Sequence, residues 1–137
     1  MEKIYYQNKL QAIIIRKKNY KNKKGIHFFT EKNLAMQTAF MSHPKNHIIK
    51  PHIHRKVIRK IFNTSEVLII LKGLILVNFF NKKKKIFTTK KISNGDIILF
   101  ITGGHGFKIL RKSEFFEVKQ GPYKDKQLDK TCFNESK

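Results

Sequence analysis

Four side chains in the sequence have the types and the spacing of a metal-binding site. His52 and His54 are separated by one residue, so in a β-strand both imidazoles project from one face, roughly 7 Å apart. Glu66 opens an apolar run, and His105 directly follows two glycines. Three imidazoles and a carboxylate suit Fe, Mn, Ni, Co or Zn better than Ca or Mg. The four residues are therefore candidate ligands as a set, although any one of them alone is more often a structural residue.

The elements that must position these residues are predicted to be short β-strands. No segment keeps the 3.6-residue apolar period of a helix for three turns, and turn sequences such as residues 93–96 separate apolar, β-branched runs. The spacing of about 8–12 residues per strand is typical of a sandwich or barrel. The sequence therefore predicts an all-β protein with a closed or two-sheet barrel. The predicted strands cover residues 10–16, 26–30, 34–42, 47–54, 57–62, 66–71, 74–80, 86–92, 97–101, 106–111 and 114–120.

The spacing of the candidate ligands resembles the two sequence motifs of the cupin superfamily. The first motif reads H-x-H, a short gap, E, six residues and G; the second reads G, a stretch containing P-x-G, and H. This chain has a longer gap of eleven residues before the glutamate and two glycines in place of P-x-G. The matching residues are His52, His54, Glu66 and Gly73 for the first motif, and Gly95 and His105 for the second.

A closer resemblance covers most of the second half of the chain, through residues 51–54, 64–68, 72–73, 95–96, 103–107 and 117–123. On these residues the chain resembles the small WbuC-like cupin-fold metalloproteins of bacterial surface-polysaccharide biosynthesis clusters. The resemblance implies a cupin double-stranded β-helix, that is, a jelly-roll barrel. It also implies one domain over residues 1–137, with the barrel at about 26–120, an N-terminal strand at about 10–16 and a polar C-terminal tail at 121–137. Its implied metal ligands are His52, His54, Glu66 and His105.

Five further residues are candidates for binding a substrate. Arg55 and Arg59 follow the histidine pair and suit a phosphate or carboxylate, or are surface charges. Gln37 lies in an apolar run and faces either the cavity or solvent. Glu117 is a candidate to hold the second ring nitrogen of a metal-bound histidine. Tyr123 is either a packing residue or a lid over the barrel mouth.

The leading functional hypothesis is a metal-dependent cupin in sugar-nucleotide or surface-polysaccharide biosynthesis. Isomerase or epimerase chemistry would need a general base next to a carbonyl, for which His105 and Glu66 are the candidates. Two alternatives stay open: an Fe(II)-dependent oxygenase, and a non-catalytic module that binds a sugar or a metal for regulation.

The charge of the chain favours anionic partners. Of its 137 residues, 30 are Lys or Arg and 9 are Asp or Glu, which gives a formal net charge of +21. Four of the basic residues are Arg, the side chain that nucleic-acid readers favour, and the scattered lysines accompany abundant Ile, Asn and Phe, as an AT-rich genome would produce. We therefore expect a small anionic ligand such as a sugar nucleotide rather than a nucleic acid.

The remaining expectations concern location and assembly. No apolar run reaches the ~18 residues of a membrane helix, and the first residues lack the apolar stretch of a signal peptide, so a cytoplasmic protein is expected. Residues 67–71 are apolar on both faces of their predicted strand. One face fills the barrel, and the other needs the N-terminal strands or a partner chain. We therefore expect a homodimer.

Overall fold

The computed structural model describes residues 1–123, 125 and 129–134, and over these residues the protein is all-β. Eight strands and one 3-10 turn at Lys17–Asn19 form it, and every strand pairing is antiparallel. In the part of the chain that is described, no helix has the length and apolar character needed to cross a membrane. The strands are β1 (Glu2–Tyr6), β2 (Lys9–Ile15), β3 (Gly25–Phe28), β4 (Ala39–Ser42), β5 (Glu66–Phe80), β6 (Ile86–Ser93), β7 (Ile97–Phe100) and β8 (Gly104–Lys119).

The strand β5 is the centre of a six-stranded sheet. Along one edge, its first half pairs with β7 and its second half with β6; along the other edge, β8 pairs with both halves. β7 continues the sheet to β2 and β1. A separate two-stranded sheet contains β3 and β4. β5 has 15 residues and β8 has 16, so these two strands form the longest pairing in the sheet.

The sheet folds over on itself near Gly73. The register between β5 and β8 shifts three times between Ile70 and Ile75, and such bulges bend a sheet. Gly73 has φ +105°, and a β-carbon there would lie 2.5 Å from the Lys112 carbonyl oxygen, so only glycine fits the bend. The two halves of β5 therefore belong to two halves of the sheet, which face each other across one interior.

Contacts between β6 and the β1–β2 hairpin close one side of the folded sheet. Glu2 binds Lys90 at 3.0 Å, the rings of Tyr6 and Phe87 lie 5.0 Å apart, and Arg16 donates a hydrogen bond to the Lys91 carbonyl oxygen at 2.7 Å. One buried apolar cluster lies between the two halves of the sheet, and every strand of the six-stranded sheet except β8 contributes to it. The cluster comprises Ile4, Ala12, Ile14, Leu68, Ile70, Ile75, Val77, Phe79, Ile92, Ile98 and Phe100.

The predicted all-β class is confirmed. The strands predicted to begin at residues 10, 66, 86 and 97 begin within one residue of those positions. The predicted strands 66–71 and 74–80 are one bent strand, as are 106–111 and 114–120, because the bulges bend these strands without ending them. β1 was missed, although its pairing with β2 places it in the main sheet. The strand predicted at 34–42 is wrong over residues 34–38, where turns replace it.

The largest error of the sequence prediction is the pair of strands at 47–54 and 57–62. Residues 43–65 contain no strand and are mostly exposed. Their apolar residues have the pattern of a half-buried strand, but none of the described strands pairs with them. Near its end, this stretch returns to the outer face of the sheet, where residues 60–63 line a cavity with Leu34, Leu99 and Ile101.

Candidate functional site

Glu66 and His105 meet inside the folded sheet. The His105 Nε2 and Glu66 Oε2 atoms are 3.1 Å apart, although the residues are 39 positions apart in the chain. Glu66 begins β5, and His105 pairs with Phe79 at the other end of that strand. A straight strand would place these two ends roughly 40 Å apart, so the contact depends on the bend at Gly73. The fold itself therefore creates this pair.

Aromatic rings fix the imidazole of His105 in place. Its ring stacks on Phe100 with centroids 3.9 Å apart and an angle of 16° between the planes, and Phe107 lies 5.4 Å away. The side chains of His105 and Glu66 are 23% and 14% exposed, respectively. The pair thus lies at the margin of the apolar core, where a ligand from outside reaches it without crossing the protein.

The pair has a defined protonation pattern. The hydrogen bond from His105 lowers the pKa of the Glu66 carboxyl against the opposing effect of burial, with further help from nearby lysines. Because Glu66 is then ionised and accepts, Nε2 of His105 donates the hydrogen bond. In the neutral imidazole, Nδ1 therefore carries the lone pair. That Nδ1 atom is buried and has no hydrogen-bond partner among the described residues.

His52 and His54 do not join this pair within one chain. Both lie in the exposed stretch 43–65, with their rings 5.2 Å apart and nearly perpendicular, and His52 Nδ1 lies 3.0 Å from the Lys50 carbonyl oxygen. No three His, Cys, Asp or Glu side chains are grouped so that they could hold a metal ion, as far as the described residues go. Metal sites of the zinc type use at least three protein ligands. One chain thus brings together two of the four predicted ligands, and by themselves these two do not fit a metal.

The predicted substrate-binding residues are dispersed. Arg55 and Arg59 are exposed in the same stretch as the two histidines, and neither forms an ion pair or hydrogen bond with a described residue. Gln37 uses its amide to hold a turn: it donates to the carbonyl oxygens of Glu31 and Leu34 and accepts from Thr30. This turn is why residues 34–38 are not a strand.

Two further candidates flank the end of β8. Glu117 is exposed and pairs across the strands with Leu68, so it shares the interior face of the sheet with Glu66. The partner that the sequence analysis sought for a histidine ring nitrogen is therefore Glu66 in this structure, and Glu117 has no such contact. Tyr123 is 58% exposed, and its ring lies 4.5 Å from the Lys119 ammonium group. Each of the two remains near the open end of the site without closing it.

Sequence reasoning missed an open apolar edge beside the pair. Phe107 and Ile109 pair with Val77 and Ile75 of the core cluster, and Phe115 pairs with Ile70, so all three belong to the interior face. They are nonetheless 41%, 51% and 38% exposed. β8 pairs with β5 alone among the described strands, so the side of the fold opposite β6 is an uncovered sheet edge. The apolar residues clustered at both ends of β8, at positions 107–110 and 115–118, were the available signal.

The turn before β7 is held by a buried charge cluster that supports the site. Asp96 is 5% exposed; it accepts hydrogen bonds from the backbone amides of Lys17 and Ser93 and binds Arg16 at 2.9 Å. The same Arg16 binds Glu2 at 2.7 Å. This cluster fixes the start of β7, and β7 ends at Phe100, the ring on which His105 stacks.

Comparison of the chain with protein-family models, with curated proteins and with solved structures gave no match.

Proposed function

We propose that this protein is a cupin-type jelly-roll protein that acts on a small anionic ligand of the sugar-nucleotide class at the Glu66–His105 pair. The observation that carries the proposal is the contact between these two side chains, which the bend in β5 creates from distant parts of the sequence. Both residues are at the positions that the cupin motifs assign to ligands. An acid–imidazole pair at the margin of an apolar interior is typical of a functional site.

In this proposal His105 is the proton carrier. Glu66 accepts the hydrogen bond from Nε2 and so holds the ring in one tautomer, with the lone pair on Nδ1. Because Nδ1 is buried in the structure, the proposal requires the ring to shift so that Nδ1 reaches the substrate. A base of this kind removes a proton next to a carbonyl group and returns it to the neighbouring carbon in an isomerase, or to the same carbon in an epimerase. The net charge of +21 attracts a nucleoside diphosphate, and Arg55 and Arg59 are the proposed phosphate contacts.

The proposal includes a divalent transition metal, one of Fe, Mn, Ni, Co or Zn, held by Glu66 and His105 together with His52 and His54. The support for it is the motif spacing and the mixed nitrogen and oxygen donor set. One chain does not bring the four ligands together, so the metal requires a rearrangement or a further source of His52 and His54.

Elemental analysis of the purified, untagged protein tests the metal. We expect about one transition metal per chain, lost in both His52→Ala and His105→Ala. The matched control is His27→Ala, because His27 lies in β3 and its ring contacts the Lys24 carbonyl oxygen instead. A parent protein without metal after anaerobic loading with Fe, Mn, Ni and Zn in turn would contradict the metal proposal.

One observation favours a non-catalytic binding module as the second candidate. Within the described residues no third His, Cys, Asp or Glu joins the Glu66–His105 pair in a group that could hold a metal ion, so a single chain offers a binding site without a metal centre. Calorimetric titration with nucleoside diphosphate sugars, followed by product analysis, distinguishes the two. Binding that weakens at least tenfold in Arg55→Ala/Arg59→Ala, without product, would establish the module. Bound iron with substrate-dependent oxygen uptake would instead establish an oxygenase.

A further inference from the structure

The stretch of residues 47–62, here called the histidine arm, is too apolar to remain uncovered. Ile53 and Ile58 are 94% and 95% exposed, and Phe62 is 90% exposed. Ile48, Ile49 and Val57 are also exposed. Surface hydrophobic residues are common one at a time, but a contiguous set of this size marks a contact surface.

The open edge of β8 has the same property. It presents Phe107, Ile109 and Phe115 on the interior face of the sheet and leaves one side of a 16-residue strand unpaired among the described strands. An edge strand that is long and apolar is a template for a further strand. The chain thus carries both an uncovered apolar arm and an uncovered apolar edge.

Two carboxylates of β8 are available to the cationic histidine arm as ion-pair partners. The histidine arm contains five Lys or Arg residues and no acidic residue. Glu114 and Glu117 of β8 form no ion pair or hydrogen bond with any described residue, and Glu66 lies on the neighbouring strand. β8 also carries Lys108, Arg111, Lys112 and Lys119. The edge as a whole is therefore net basic, and Glu114 and Glu117 offer the arm two individual ion-pair partners rather than a negative surface.

The chemistry of the arm and that of the site are also complementary. The Glu66–His105 pair lacks the further ligands that a transition metal needs, and the arm carries two adjacent imidazoles that contact no other ligand-type side chain of the described chain. His105 Nδ1, buried and without a partner among the described residues, is a further sign that the pair is incomplete.

We propose that two copies of this chain exchange their histidine arms. The arm of one copy adds along β8 of the other, covers the apolar edge, and brings His52 and His54 to the Glu66–His105 pair of the partner copy. Because the same arm and edge occur on both copies, a twofold axis makes the exchange reciprocal and closed. The proposal rests on the metal site proposed above, but its first consequence, the exchanged dimer, can be tested without metal.

The size of the exchanged surface agrees with a stable dimer. The arm spans 16 positions and β8 has 16 residues, so each copy would contribute the roughly 20–30 residues a side of a stable interface. The addition of a strand to an edge supplies main-chain hydrogen bonds, and alternate side chains supply the specificity. Pro51 is compatible with the unpaired side of an added edge strand.

Light scattering coupled to size exclusion tests the assembly. We expect a dimer at micromolar concentration, and a shift to monomer in Ile53→Asp/Ile58→Asp. The control is Ile86→Asp, because Ile86 is also exposed but lies at the start of β6, away from β8. A monomeric parent protein would overturn the proposal, and so would a dimer that the arm variant leaves intact.

Chemical crosslinking tests which chain supplies the arm. A His54→Cys/His105→Cys/Cys132→Ser variant places one thiol on the arm and one in the site, and a short bis-maleimide adds to both thiols where they lie close together. Exchange predicts a covalent dimer on a denaturing gel, and the two variants with a single added cysteine serve as controls that should remain monomeric. An internally crosslinked single chain, or no link at all in a folded variant, would overturn the exchange. Neither readout involves metal, so a protein that crosslinks between copies but binds no metal would refute the metal proposal alone.

Discussion

Replacing Asp96 with Ala should be among the most damaging single changes outside the apolar core. The carboxylate accepts hydrogen bonds from the Lys17 and Ser93 amides at 3.0 and 3.1 Å and binds Arg16 at 2.9 Å. The loss of a partner for each partly buried amide costs about 1 kcal/mol, at the low end of the range because water reaches the turn. Arg16 keeps its ion pair with Glu2 in this variant, so the loss of its ion pair with Asp96 adds about 1 kcal/mol more.

Together these losses predict that Asp96→Ala lowers the free energy of unfolding by about 3 kcal/mol, which corresponds to a fall in Tm of about 10 °C for a chain of this size. Urea unfolding followed by circular dichroism at one fixed protein concentration measures it. Ser93→Ala is the control, because its hydroxyl contacts Asp96 at 3.4 Å only, and we expect a change of about 0.5 kcal/mol or less. A loss below about 1 kcal/mol in Asp96→Ala would refute the reasoning.

Three other changes probe the bend, the acid stability and the site. Gly73→Ala should cost about 3 kcal/mol or more in urea unfolding, because a β-carbon would lie 2.5 Å from the Lys112 carbonyl oxygen at φ +105°; unchanged stability would contradict the bend. Burial raises the pKa of Glu2, but hydrogen bonds from Arg16 and Lys90 outweigh it and lower that pKa, so its stabilisation is full above about pH 4.3 and is lost as the pH falls further. Glu2→Gln should therefore lower the free energy of urea unfolding at pH 7, by less than about 1 kcal/mol because the pair is partly exposed, and this effect should shrink as the pH falls below about 4.3; an effect that does not change with pH would contradict the pairing. Phe100→Ala should cost about 3–5 kcal/mol and shift the NMR signals of the His105 ring, while those of His27 stay unchanged; an unmoved His105 signal would contradict the stacking.

The sequence was informative where apolar alternation is bounded by clear turn residues. β2, β6 and β7 were predicted closely because their apolar alternation and their flanking turns, such as Asn94-Gly95, reflect local contacts. The bends in β5 and β8 were not predictable as bends, since a bulge and a turn leave the same signal at Lys72 and Gly73.

The site was predictable in part, for a related reason. Motif spacing placed Glu66 and His105 among four ligands of one predicted metal site, and the structure brings these two side chains to 3.1 Å. The predicted strand at residues 47–54 was wrong in this chain. Apolar alternation indicates that one face of a segment is suited to burial, but it does not identify the strand against which that face packs. A segment that pairs with a strand of a second copy has the same sequence pattern as one that pairs within its own chain.

The central claim is a metal site assembled from two copies, and co-expression of two complementary variants tests it most directly. One chain carries His52→Ala/His54→Ala and the other Glu66→Gln/His105→Ala, with different affinity tags so that the mixed dimer is isolated. Neither variant alone should bind metal, whereas the mixed dimer has one complete site and should hold about half the metal per chain of the parent protein. If the ligands came from one chain, both sites of the mixed dimer would be incomplete. A mixed dimer without metal, beside a parent protein that binds it, would contradict the account.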